Sequence, residues 1–206
     1  MQDNFHATDQ EKQTRILNAA FEVFSKNRFH KASTNDIVEK AGVSKGILFH
    51  YFKNKQALYD YLKHFAFSTL IDALDREIDW TESDFFDRLK SIGMIKTRIL
   101  VQYPYMASFI QVMHESLSIE EMMALVLQYN PQIMQDVYQR NVDYSKFKDG
   151  IDLKRVISMT QWTFEKLGEE WFKGHNPADP WDFDALTREG DAYIALLRQT
   201  FYKQEV

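Results

Sequence analysis

Residues 33–51 constrain this chain more than any other stretch. Ser33 or Thr34 can cap a helix, its hydroxyl accepting a backbone N–H that would otherwise lack a partner. Ile37, Val38 and Ala41 then fall on one face at helical spacing. Gly42 ends that helix, because a residue without Cβ turns left-handed at little cost. Val43 packs the turn, and Ser44 caps a second helix whose Ile47 or Leu48 and Tyr51 point inward. A helix, a short glycine turn and a second helix make a helix-turn-helix, whose second helix enters a DNA major groove. The same pattern also suits an ordinary helical hairpin in an all-α core.

The rest of the chain reads as helix from end to end. Residues 11–26 carry Ile16, Leu17, Ala20, Phe21 and Phe24 on one stripe. A long helix is predicted over 55–78, with Leu58, Leu62, Phe65, Thr69 and Ala73 facing in. Thr81 or Ser83 is read as the cap of the next, which runs to the Tyr103-Pro104 break. Pro104 suits the first turn of a sixth helix, to about Leu117. Ser118 caps a segment interrupted near Asn130-Pro131 and resumed through Ile133, Val137 and Val142. Gly150 marks a turn before a helix over 152–173; the loop His175-Asn-Pro-Ala-Asp-Pro and a last helix from about Asp182 to Tyr202 follow. The expectation is an all-α fold of about nine helices, with no strand signal, internal repeat or low-complexity tract.

Charge divides along the chain. The net charge of −5 argues, taken whole, against a nucleic-acid partner. Residues 12–63, however, hold ten Lys and Arg against Glu22, Asp36, Glu39 and Asp60, a net of +6, while residues 64–206 carry a net of −8. A basic head on an acidic body concentrates phosphate attraction on one face, and screening makes that local charge the relevant one. The chain has no cysteine, so disulfides, thiol nucleophiles and thiolate metal sites are excluded. The polar, acidic N-terminus is unlike a signal peptide, and no apolar run reaches the ~18 residues of a membrane span. A cytoplasmic protein without a membrane partner is expected.

On the second helix, Ser44, Lys45, Ile47, Phe49 and His50 occupy exposed positions, whereas Leu48 and Tyr51 read as core. Lys45 can reach a guanine edge or a phosphate, and Thr34 sits at a helix N-terminus that suits a phosphate oxygen. Lys53 and Lys55 are placed for the flanking phosphates. The stretch resembles the DNA-binding domain of the TetR family of bacterial transcriptional regulators. The likeness begins at Arg15-Ile-Leu-Asn-Ala-Ala-Phe-Glu-Val-Phe and continues through Lys31-Ala-Ser-Thr-Asn-Asp-Ile-Val and Ala41-Gly-Val-Ser-Lys-Gly. It ends in Phe49-His-Tyr-Phe-Lys-Asn-Lys-Gln-Ala-Leu. The resemblance implies DNA contacts at Thr34, Ser44, Lys45, Gly46, Phe49, His50, Tyr51 and Lys55. Phe49 stands where the family usually has tyrosine, Ile47 where a small polar residue is common, and Val38 where alanine is usual.

The expected organisation is a DNA-binding domain over 1–54 joined to a helical domain over 55–206. Phe52-Lys-Asn-Lys runs straight into the fourth helix, so the two share a rigid element rather than a flexible linker. In the resembled family, ligand binding in the body moves this helix and changes the spacing of the two heads in a dimer. The body itself carries no strong motif. Relatives hold a small-molecule pocket there, and Met94, Phe109, Met113, Tyr129 and Trp162 are expected in its wall, with Arg98 and His114 as a polar end. That apolar set favours a hydrophobic or aromatic effector.

The helices over 152–173 and 182–202 carry more apolar residues than one buried stripe holds. Ile157, Phe164, Gly168 and Trp171 in the first, with Tyr193, Leu196, Leu197 and Phe201 in the second, are expected at the interface of a homodimer, as the resemblance also implies; Trp162 and Leu167 lean instead to the chain's own core. No Gly-rich phosphate loop, His-Glu-x-x-His or Gly-x-Ser-x-Gly is present, and catalysis, cofactors and metals are not expected. The leading reading is an effector-released, dimeric repressor on a palindromic double-stranded DNA operator. The alternative is a DNA-binding protein without a small-molecule effector, whose body binds another protein or organises DNA.

Overall fold

The computed structural model describes residues 3–114, 117–174 and 182–204. Among these the chain forms helices and one isolated antiparallel bridge, Phe147 to Tyr202. It divides into two compact units.

The first unit comprises residues 1–70 and 99–129. It holds α1 (Asp3–His6), α2 (Gln10–Lys26), α3 (Thr34–Ala41), α4 (Lys45–Tyr51) and the greater part of α5 (Lys55–Glu77). To these it adds the end of α6 (Phe85–Gln102), α7 (Met106–His114) and α8 (Ile119–Tyr129). Caps explain most of the starts. The Asp9 carboxylate accepts from Lys12 N–H at 3.1 Å and Asn54 Oδ1 from Ala57 N–H at 2.8 Å. Ser118 and Glu121 exchange side-chain and backbone bonds of 3.1 and 2.8 Å, a reciprocal capping box. The core is aromatic: Tyr59 meets Phe24, Phe29 and Phe109 at 5.0, 5.0 and 5.3 Å between ring centroids, and Phe21 meets Phe109 at 5.3 Å. Such edge contacts add to burial. Asn18 also donates to the Gln102 carbonyl at 2.9 Å. Residues 99–129, expected in the body, are thus part of the same compact unit as α2 to α4.

The second unit comprises residues 71–98 and 130–206, with the remainder of α5 and α6, α9 (Ile133–Gln139), a 3-10 turn at Tyr144–Lys146, α10 (Leu153–Gly174) and α11 (Phe183–Phe201). Phe86, Phe147 and Tyr202 pack with centroids 4.8 and 5.0 Å apart. The cap of α6 corrects the sequence reading. Neither Thr81 nor Ser83 but Asp84 accepts from the N–H groups of Phe86 and Asp87, at 3.0 and 3.1 Å. The interrupted segment is two helices, and Val142 lies outside α9 because the chain turns left-handed at Asn141 (φ 53°). There the buried Arg88 guanidinium takes the carbonyls of Asp136 and Arg140. Asp152 and Asp182 cap α10 and α11. The predicted loop over 175–180 lies outside the described residues.

Candidate nucleic-acid interface

Ser33 starts α3 as expected, its Oγ accepting from the N–H groups of Asn35 and Asp36 at 3.2 and 3.4 Å. Gly42 has φ 64° and ψ 37°, and the N–H groups of Gly42 and Val43 return to the carbonyls of Glu39 and Val38. This is the left-handed C-terminal turn that glycine favours. Ser44 then caps α4 through Ile47 N–H at 3.2 Å. Ile37, Ala41, Leu48 and Tyr51 are buried, and Val38 and Ile47 half-buried. The pair is therefore held by its inner face, leaving Ser44, Lys45, Gly46, His50 and Lys53 exposed and Thr34 and Phe49 half-buried.

Gly46 is informative. A Cβ built there would meet only Ser44 Oγ, at 3.8 Å, so nothing within the chain requires glycine. A helical glycine costs about 1 kcal/mol against alanine. No described neighbour within the chain explains it, and a bare backbone there leaves room for close approach by another surface.

Two of the expected contacts are corrected. Tyr51 is 9 % exposed, with its ring edge-on to Phe5 at 5.3 Å and the Lys12 ammonium 5.7 Å above it. By that burial the ring belongs to the core, while a hydrogen bond with Thr8 draws its hydroxyl below the usual phenol range. Lys55, expected on a phosphate, instead donates to the carbonyls of Phe29, His30 and Ala32 at 2.8, 3.4 and 3.1 Å, its ammonium 4.7 Å from the Phe29 ring. Sequence reasoning also missed Phe5, which is fully buried against Tyr51, Phe52 and Tyr61. One aromatic in a polar stretch has no periodicity to reveal it.

The residues expected around an effector are not all alike. Phe109 and Met113 lie one turn apart on α7 in the first unit, both fully buried. Tyr129, in the same unit, is tied by its hydroxyl to His64 Nδ1 at 2.7 Å. Met94, Arg98 and Trp162 belong to the second unit and face outward. Met94 is 52 % and Trp162 64 % exposed, and Arg98 pairs with Glu77. The His114 side chain lies outside those described. An open groove of about 610 Å³ in the first unit, between Thr14, Asn18, Glu22, Lys40, Gln102 and Tyr105, includes none of these residues.

Of the residues expected at a dimer interface, Leu196 is 57 % exposed, and Ile157, Phe164, Gly168, Trp171 and Tyr193 are half-buried. Leu197 and Phe201 are corrected: each is 8 % exposed and already packed inside the second unit. Trp162, read as core, is instead exposed alongside Met159. A Cβ at Gly168 meets nothing within 4 Å, so no neighbour in this chain explains that glycine.

Residues 16–62 match the family of bacterial regulatory proteins described as the tetR family. The chain is 48% identical to the HTH-type transcriptional regulator UidR of Escherichia coli K12 over 58 residues, 28% of this chain and 30% of that protein. The match thus spans less than a third of that relative's length. Among solved structures, the ketosteroid transcriptional regulator KstR2 of Mycobacterium tuberculosis superposes with a TM-score of 0.66 at 18% identity, covering 92% of this chain and 94% of that one. The transcriptional regulator FadR of Bacillus subtilis, in complex with stearoyl-CoA, does so with a TM-score of 0.58 at 20% identity, covering 89% and 96%. At such identities the likeness is one of fold. No described helix is long and apolar enough to cross a membrane.

Proposed function

We propose that this chain is a member of the TetR family of bacterial transcriptional regulators, and that it is a dimeric repressor whose α4 reads a palindromic operator and which a small hydrophobic effector releases. Gly46 supports the reading: on a capped helix with an exposed face, no described neighbour explains this glycine, and its bare backbone would admit close approach by DNA. Thr34, Ser44, Lys45, Ile47, Phe49, His50 and Lys53 are the proposed DNA contacts, with residues 1–54 as the DNA-binding part and the rest as the effector-binding and dimerisation part. The net of +6 over residues 12–63 supports a phosphate partner there. Selection of binding sequences from a random duplex pool should return two-fold symmetric half-sites about 34–36 Å apart, or a multiple of that. Lys45→Ala is expected to cost roughly 1–3 kcal/mol and to relax base preference near one end of each half-site. A pool without symmetry, or a Lys45→Ala variant with wild-type preference, argues against the assignment.

A single recognition helix reads few base pairs, so two heads are needed. Met159, Trp162 and Leu196, between 48 and 64 % exposed, supply the apolar surface for α10 and α11 to meet their copies, and Gly168 permits close approach. Trp162→Glu combined with Leu196→Glu should give a helical monomer at micromolar concentration, by sedimentation, that binds DNA far more weakly. A double variant that remains dimeric removes this interface.

The hydrophobic effector is supported by the methionines and the aromatic residue of α7, and by the fold shared with FadR, which was solved with stearoyl-CoA, and with KstR2, a ketosteroid transcriptional regulator. Native mass spectrometry of the purified chain tests it. A mass matching protein alone, together with DNA binding unaltered by hydrophobic extracts, favours the alternative of a DNA-binding protein without a small-molecule effector.

A further inference from the structure

We propose that Lys55 is a positioning residue of the DNA-reading pair: its ammonium fixes the loop ahead of α3, and with it the start of α3, to the first turn of α5. The inference deepens the DNA-binding reading above and rests on it. An ammonium has three N–H donors, and here three carbonyls, those of Phe29, His30 and Ala32, receive them. None is left over for a phosphate oxygen in this arrangement. The Phe29 ring lies beside the same ammonium at 4.7 Å and adds a cation–π contact.

The loop thus held is short and already folded. The N–H groups of Lys31 and Ala32 both return to the Arg28 carbonyl, at 2.8 and 3.1 Å. That turn does not use the carbonyls of Phe29, His30 and Ala32; those of Phe29 and Ala32 are partly shielded from water, where a carbonyl without a donor is destabilising. Ala32 is buried and directly precedes Ser33, whose Oγ holds the first two N–H groups of α3. A contact made by the first residue of α5 therefore sets where Ser33 and Thr34 stand. The covalent path from α5 to α4, through Phe52 to Asn54, fixes one half of the helix-turn-helix, and Lys55 fixes the other. Arginine cannot replace it, because a planar fork does not converge on three carbonyls around one nitrogen.

The test compares Lys55→Met, which keeps the aliphatic stem, with Lys55→Arg, which keeps the charge. Binding of each to a short random-sequence DNA duplex is followed over a range of salt, and amide hydrogen exchange is read at Lys31 and Ala32. Lys55→Met is expected to lose affinity roughly tenfold with its salt slope unchanged, and exchange at Lys31 and Ala32 should quicken at least about tenfold. Lys55→Arg should keep the slope and lose the same protection. A slope lowered by about one in the methionine variant marks a phosphate contact and overturns the proposal. Unchanged affinity in the methionine variant, or wild-type protection in either variant, does so as well. Should the wild-type chain show no salt-dependent DNA binding, the DNA reading fails, whereas exchange at Lys31 and Ala32 still decides whether the clamp exists.

Discussion

Replacing Phe5 with alanine is expected to destabilise the first unit by roughly 3–5 kcal/mol, the usual cost of emptying a buried phenylalanine site. The ring is fully buried, with centroids 5.3 Å from Tyr51, 4.9 Å from Phe52 and 5.5 Å from Tyr61. Those partners are the last residue of α4, the residue that follows it, and a residue in the second turn of α5. The segment between Phe5 and α2 is held in turn: Gln13 Nε2 donates to the carbonyls of His6 and Thr8, at 3.2 and 2.6 Å. Loss of the ring should therefore loosen the end of the recognition helix before the rest of the unit. The tryptophans among the described residues, Trp80, Trp162 and Trp171, lie in the second unit, so their fluorescence would miss this change. Amide exchange at Leu48, Tyr51 and Phe52 is the measurement that sees it. Phe5→Leu, which keeps most of the buried volume, should lose less than half as much protection. If Phe5→Ala protects these amides as well as wild type does, Phe5 is not an anchor of α4.

Phe5 also marks where sequence reading stops. The starts and stops of α2, α3, α4, α10 and α11 were legible because their signals are local: a capping hydroxyl or carboxylate, an apolar face at helical spacing, a glycine that alone turns left-handed. Gly42 and Ser44 required nothing from the rest of the chain. Phe5 and Asp84 belong to another class. Each is one residue whose partners lie tens of residues away, Tyr61 for the first and Arg198 for the second, and no periodicity announces such a contact. The Asp84 carboxylate caps α6 where Thr81 or Ser83 looked equally able, because Lys146, Arg198 and Tyr202 also converge on it.

Exposure was the other illegible quantity. Leu196 and Leu197 are neighbours of identical chemistry, yet one is 57 % exposed and the other 8 %. A stripe too wide for one buried face says that some apolar residues stay outside, but not which ones. Trp162 shows the same limit. Its size argues for the core, and only the direction of α10 turns it outward. Lys55 shows it for charge: at the head of α5 it reads as a phosphate ligand, and three carbonyls 23 to 26 residues earlier in the chain claim it first.

Asp84 carries the second large effect, which acid should reveal. Its side chain is 5 % exposed, and both oxygens are engaged. Oδ2 accepts from Lys146 Nζ and Arg198 Nη1, each at 2.9 Å; Oδ1 accepts from Arg198 Nη2 at 2.9 Å, from the Tyr202 hydroxyl at 3.2 Å and from the N–H groups of Phe86 and Asp87. Burial alone would raise this carboxyl, but the bonds from Lys146, Asp87 N–H and Arg198 together outweigh it and hold the group at about 2, against an ordinary 3.8. Between those values the unfolded chain binds a proton that the folded chain refuses. The stabilisation is therefore complete above about pH 4, declines as the pH falls, and is gone below about pH 2; the shift corresponds to about 2.5 kcal/mol. Asp84→Asn keeps an oxygen for the helix cap and removes the charge. Wild type should exceed this variant in stability by about that amount at pH 6, read by tryptophan fluorescence of the second unit, and the gap should close between pH 4 and pH 2. A gap that stays constant across that window would mean that Asp84 acts through its shape and hydrogen bonds rather than its charge.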